Sequence, residues 1–168
     1  MTTIAAVMMV RNEQSILATS VGHLLNFVGV DYLMIGDNGS TDATPKLLEL
    51  IAQNEPRVRW TDVSGPWSPS PILTGFAREF YRKGVDWIIP CDADEFIWSR
   101  RHTIRELCSS KMIGGFVFNL RNFVQWSWIK KEHPWAVETM ILSTSPIGTQ
   151  ADAQKLVEDE EIAFVQMV

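Results

Sequence analysis

Four apolar runs, separated by stretches of helical periodicity, constrain this chain more than any other feature. Met1–Val10, Asp31–Gly36, Val58–Val63 and Val85–Cys91 are short and rich in apolar, β-branched or aromatic residues, and they read as buried strands. Between the first two, Ile16, Val21, Leu24, Leu25 and Val28 recur at helical spacing, and Gly29 is a plausible stop. Asn38-Gly39-Ser40-Thr41-Asp42-Ala43-Thr44-Pro45 joins a turn to helix-capping residues, with a helix continuing through Lys46–Ile51. After the Ser/Pro/Gly loop from Ser64 to Pro71, Leu73, Phe76, Ala77 and Phe80 form a third helix with Pro71 in its first turn and Gly84 as its stop. A β-α-β-α-β-α-β order predicts an α/β fold: a three-layer, open, mainly parallel sheet with helices on both faces.

The length of 168 residues suits one domain with a real core. A formal charge of −5 argues against a nucleic-acid partner held on a broad basic face. Cys91 and Cys108 lie far apart and fit neither a zinc ribbon nor a disulfide framework, so a reducing, cytoplasmic compartment is the expectation. The apolar opening has no basic flank and ends at Arg11, too early for a membrane span. Peripheral membrane attachment through the apolar or Trp-rich C-terminal part stays open, as does oligomerisation.

Open parallel sheets bind ligands beyond the carboxyl ends of their strands, and the chemistry-bearing residues of this chain gather at those ends. Arg11-Asn12-Glu13 follows the first strand, Asp37-Asn38-Gly39-Ser40 the second, and Asp92-Ala93-Asp94-Glu95 the fourth. Side chains at i and i+2 of a strand point to the same side, so Asp92 and Asp94 should converge just where the fourth strand runs out. Two hard oxygen ligands there suit Mg2+ or Mn2+ shared with phosphate oxygens. Asp37 can accept a base imide N–H or ribose hydroxyls, and Gly39 lets the backbone approach a ring closely. The plainer readings are an Asx turn at Asp37, turn roles for Asn38, Gly39 and Ser40, a surface pair of Arg11 with Glu13, and a helix-starting Glu13.

Taken in order, Arg-Asn-Glu, Asp-Asn-Gly-Ser-Thr-Asp and Asp-Ala-Asp-Glu-Phe resemble the family 2 glycosyltransferases of GT-A, Rossmann-like fold, over about residues 4–98. The resemblance implies a single GT-A-like domain over 1–168, with a nucleotide-sugar donor half over 1–98 and a partial acceptor half over 99–168. It implies that Asp37 contacts the nucleotide base, that Asp92 lies near the ribose, and that Asp94 binds the metal under the diphosphate. Arg11, Glu13, Asn38 and Gly39 complete the expected donor-binding set. The implied reaction moves a sugar, from a UDP-linked donor by expectation, to a glycan, lipid or protein hydroxyl with inversion. A carboxylate acts as base. Candidates are Glu138, Asp152 and Glu158, with Glu138 placed first because it sits in the apolar run Ala136–Leu142.

The stretch Ile162–Val168 ends the chain without a polar tail, and this reads as a fragment or a minimal domain. A non-catalytic nucleotide-binding domain is therefore the alternative to an enzyme. A nucleotidyltransferase fits less well, since residues 8–16 hold no glycine and one arginine. Trp126 and Trp128 would share a face in an extended segment, for sugar stacking or for core packing. His23, His102 and His133 have no Cys or His at metal-ligand spacing and read as structural or exposed.

Overall fold

The computed structural model describes residues 1–66, 68–99 and 101–109, together with the backbone of 119–124, 142–144 and 162–167. The chain divides into two compact units, Met1–Ala93 and Asp94–Val168.

The first unit contains β1 (Ile4–Val10), α1 (Leu17–His23), β2 (Tyr32–Asp37), α2 (Thr44–Asn54), β3 (Val58–Asp62), α3 (Pro69–Arg82) and β4 (Trp87–Pro90). The four strands form one parallel sheet in the order β3-β2-β1-β4. All seven residues of β1 are buried, as a central strand covered on both faces requires. The expected long first helix is α1 followed by a π-helical turn, Leu24–Val28, which Gly29 closes at φ 78°. A left-handed residue at this position favours glycine. The third helix starts at Pro69, two residues before the expected Pro71, because Pro69 fits a first helical position whose N–H needs no partner.

Strand order fixes where the helices go. The first two crossovers run from β1 to β2 to β3, and the third returns past β1 to β4. With right-handed crossovers, α1 and α2 lie on one face and α3 on the other. The register agrees: Leu33 and Ile35 share the α1/α2 face with Ala6 and Met8, whereas Met34 and Gly36 share the α3 face with Val7 and Met9.

The two faces are packed differently. Under α1 and α2, Leu17, Leu24, Leu33, Ile35 and Leu48 are sealed. Under α3, Phe76 presses on Gly36 so closely that a Cβ there would lie 3.3 Å from Cε2 of Phe76 and 3.0 Å from Cγ2 of Val63. Phe80 stacks on Tyr32 with ring centroids 5.9 Å apart. Yet no residue of α3 is buried.

The second unit contains β5 (Glu95–Ser99), α4 (Ile104–Cys108), β6 (Asn119–Val124), β7 (Leu142–Thr144) and β8 (Ile162–Met167). Its sheet has the order β5-β8-β6-β7, with β8 antiparallel to β5 and parallel to β6. The apolar stretch near the end of the sequence is thus an interior strand of a mixed sheet. A capping box begins α4: the Glu106 N–H donates to Thr103 Oγ1 at 3.2 Å and the Thr103 N–H donates to Glu106 Oε2 at 2.8 Å.

Candidate functional site

The carboxyl edge of the first sheet is built from four loops, and the first two are laced together. After β1 the chain turns at Asn12, which has φ 61°, unique for a non-glycine among the described residues. Such a conformation costs an L-residue roughly 1–2 kcal/mol, least for Asn and Asp. The neighbouring loop holds it in place. The Thr41 N–H donates to Asn12 Oδ1 at 2.7 Å, and the Asn12 N–H donates to Ser40 Oγ at 2.9 Å. The Glu13 N–H then donates to Thr44 Oγ1 at 2.9 Å, and the Ala43 N–H to Gln14 Oε1 at 2.9 Å. The Gln14 N–H reaches Asp42 Oδ2 at 3.2 Å. Burial opposes ionisation of Asp42, but the bonds it accepts from Thr44 and Gln14 hold its carboxyl below the ordinary value.

Asp37 ends β2, in register with Val10 on one side and Asp62 on the other. It is buried, 4% exposed, and its carboxylate accepts from both the hydroxyl and the N–H of Ser40. The bond reaches three residues on, one more than the Asx turn of the plainer reading, and holds the turn in the same way. Ser40 Oγ thereby joins the Asn12 backbone to the Asp37 carboxylate. Asn38 is 2% exposed, and neither its Oδ1 nor its Nδ2 has a hydrogen-bond partner. A buried amide left so costs about 1–3 kcal/mol per group, and such groups call for an explanation. Gly39 has φ 70°, and a Cβ on it would lie 3.3 Å from Ser64 Oγ. Glycine therefore serves both the turn and the close passage of the third loop.

Asp62 escaped the sequence reading. It lies level with Asp37 at the end of β3, and its carboxylate accepts from the hydroxyl and N–H of Ser64, which hold the Asp62 carboxyl below its usual range. The available signal was an acid near the end of the third apolar run with serine two residues on, close to the Asp37-to-Ser40 spacing of three.

Arg11 is exposed and forms no ion pair among the described residues. Glu13 is half-buried, and its carbonyl accepts from the N–H groups of Ile16 and Leu17 at 3.1 and 2.9 Å, starting the first helix.

The strand alternation expected to aim Asp92 and Asp94 to one side does not apply. β4 ends at Pro90, and the Cys91 N–H donates to the Val7 carbonyl at 3.1 Å. Ala93 and Asp94 form a turn, with Asp92 exposed, Ala93 buried and Asp94 half-buried. Pro90, which cannot donate to a ladder, suits the place where the strand stops. The boundary between the two units falls between Ala93 and Asp94, so the motif spans it.

Within the first unit, strand order singles out one position. The chain leaves β1 toward β2 and later re-enters beside β1 as β4, so the topology reverses between β1 and β4. Open sheets form their ligand crevice at such a reversal, outside the carboxyl ends. Arg11 follows β1 there and Asp92 follows β4.

Among the described residues, no group of three or more His, Cys, Asp or Glu side chains gathers to enclose a metal. Carboxylates such as those of Asp92 and Asp94 are also the donor type of the other kind of site, in which one or two of them share a hard cation with waters and substrate phosphates. Glu138, Asp152 and Glu158 lie outside the described residues, as do Trp126, Trp128 and His133. His23 stacks on Phe27 with centroids 4.9 Å apart, away from this edge, and His102 is exposed beside the α4 cap. No described helix is long and apolar enough to cross a membrane.

No protein-family profile matches the chain, and no curated protein does. Among solved structures, the chain is similar to S. aureus TarS 1-349, at TM-score 0.44 and 16% identity over 64% of this chain and 31% of that one. The complex of TarS 1-349 with UDP-GlcNAc gives a TM-score of 0.45 and 15% identity, over 64% and 30%. The UDP complex gives 0.44 and 15%, over 64% and 31%. This chain thus spans about a third of the length of the structures it matches.

Proposed function

We propose that the carboxyl edge of the first unit binds a nucleoside-diphosphate sugar, UDP-linked, and that the chain transfers the sugar to an acceptor hydroxyl. The observation that carries this reading is the reversal of strand order between β1 and β4, with a cationic residue after one strand and the Asp92 motif after the other. A diphosphate needs positive charge, which a chain of net −5 supplies at few places. Arg11 is assigned to the diphosphate. Asp92 and Asp94 are assigned to Mn2+ or Mg2+, which when bound supplies Lewis-acid neutralisation of charge on the departing diphosphate.

Asp37, Asn38 and Gly39 are assigned to the base and ribose. In this role Asp37 acts from a fixed position, because Ser40 immobilises its carboxylate. Rigidity of this kind lowers the ordering cost of binding. The hydroxyl of the acceptor requires a carboxylate base, and Glu138 is the first candidate.

Release of UDP from UDP-sugars, measured with Mn2+ across a panel of acceptor alcohols and glycans, tests the proposal. Sugar-dependent UDP release that disappears with chelator is expected. Stoichiometric UDP binding with no turnover of any donor would leave a nucleotide-binding domain instead.

A further inference from the structure

At the amino ends of the same strands lies a cavity of about 310 Å3, between α3 and the face of β2 and β3 that α3 covers. Tyr32, Met34, Phe80 and Val85 supply an apolar and aromatic lining, and Arg59 and Lys83 reach it from the rim. Tyr32 and Asp37 are the two ends of β2, five residue steps or about 16 Å apart, so this cavity is separate from the donor edge.

Two observations argue that the cavity is a site. The first concerns packing: α3 has fourteen residues and none is buried, and it meets β2 through Phe76 over Gly36 and Phe80 over Tyr32, with the cavity left beside these contacts. Interiors normally fill such space, and a volume of this order matches the low end of small-ligand pockets. The second concerns charge. Lys83 is paired with Glu79 at 2.5 Å, and Arg57, also on the lining, is paired with Glu55 at 2.7 Å and donates to the Leu25 carbonyl at 3.3 Å. Arg59 is exposed and has no hydrogen bond or ion pair among the described residues. Arg59 acts on Glu79 electrostatically but makes no direct bond to it, so its guanidinium donors are open.

We propose that this amino-edge cavity binds a small amphipathic monoanion, with an aromatic or aliphatic body between Tyr32, Met34 and Phe80 and one carboxylate or sulfonate on Arg59. Its size and the one guanidinium on its lining that has no direct partner set the ligand class. A dianionic nucleoside diphosphate is too polar for the lining. Binding here is independent of the donor edge and of the reading given to it.

The probe is 8-anilinonaphthalene-1-sulfonate, an aromatic monoanion, titrated into the whole chain and followed by fluorescence. Saturable binding of one dye per chain is expected, weakened at least tenfold in Arg59→Glu and lost in Met34→Trp, where the indole fills the space. UDP with Mn2+ should not displace the dye. Arg59 is exposed, so its variant keeps the fold, which circular dichroism checks. Non-saturable dye binding, equal affinity in both variants, or displacement by UDP would overturn the assignment. So would sedimentation as a dimer that Arg59→Glu dissociates, since the cavity would then belong to a second copy of the chain.

Discussion

The two faces of the first sheet both carry helices but pack them differently. On the α1/α2 side, Leu17, Leu24, Leu33, Ile35 and Leu48 are fully enclosed, and the loops leading into these two helices are tied together by Asn12, Gln14, Ser40, Asp42 and Thr44. On the α3 side, fourteen helical residues bury none of their number, and the helix leans on Phe76 and Phe80 over Gly36 and Tyr32. The difference separates stability from adaptability. Both faces bury β1, but the α1/α2 face also seals helix side chains and fixes the Asp37 loop, whereas the α3 face leaves room at the amino edge.

If that division is right, truncations on the two sides have unequal costs. Leu48→Ala, in the sealed face, should lose about 3 kcal/mol in urea denaturation, since burial is complete and the site cannot collapse. Phe76→Ala, half-buried on the open face, should lose about 1–2 kcal/mol although it removes more atoms. Equal losses would break the comparison.

The lacing can be separated from the strained turn it supports. Asn12→Ala should cost about 2 kcal/mol, combining the lost Thr41 bond with an alanine at positive φ. Asn12→Gly loses the bond but not the backbone preference and should cost about 1 kcal/mol. Both should weaken UDP binding, because the loop carrying Asp37 loosens. Identical stability losses in the two variants would mean that the backbone conformation contributes nothing.

The smallest expected stability change belongs to Asn38→Ala. Removing an amide that has no partner should leave stability within about 0.5 kcal/mol of the parent or raise it. UDP affinity should fall about tenfold if the amide serves the ligand. A clear stability loss with unchanged UDP affinity would assign Asn38 to the fold instead.

Much of the first unit was legible because its signals are local. Apolar runs, helical spacing, Gly29 and the prolines each report on a few neighbouring residues, and they led to the parallel sheet and three helices. Residues at strand ends were also legible as a group, since the fold class dictates which end binds ligands. What each does was less so. The bonds from Asn12 to Ser40 and Thr41 join residues 28 and 29 apart, and no periodicity reports them. Asp62 became visible as the neighbour of Asp37 through strand pairing. The end of β4 at Pro90 removed the alternation argument for Asp92 and Asp94, since proline ends the ladder where apolar character alone continues it. The second sheet was illegible for a further reason: β8 inserts between β5 and β6, a pairing set by distant partners.

Calorimetric titration of UDP into the 168-residue chain, with Mn2+ and then with chelator, alongside Asp94→Ala, tests the account's central claim most directly. The account predicts one UDP per chain with Mn2+, at least a tenfold loss on chelation, and the same loss in a folded Asp94→Ala variant. UDP binding that ignores both the metal and Asp94, or no binding by a folded chain, would contradict it.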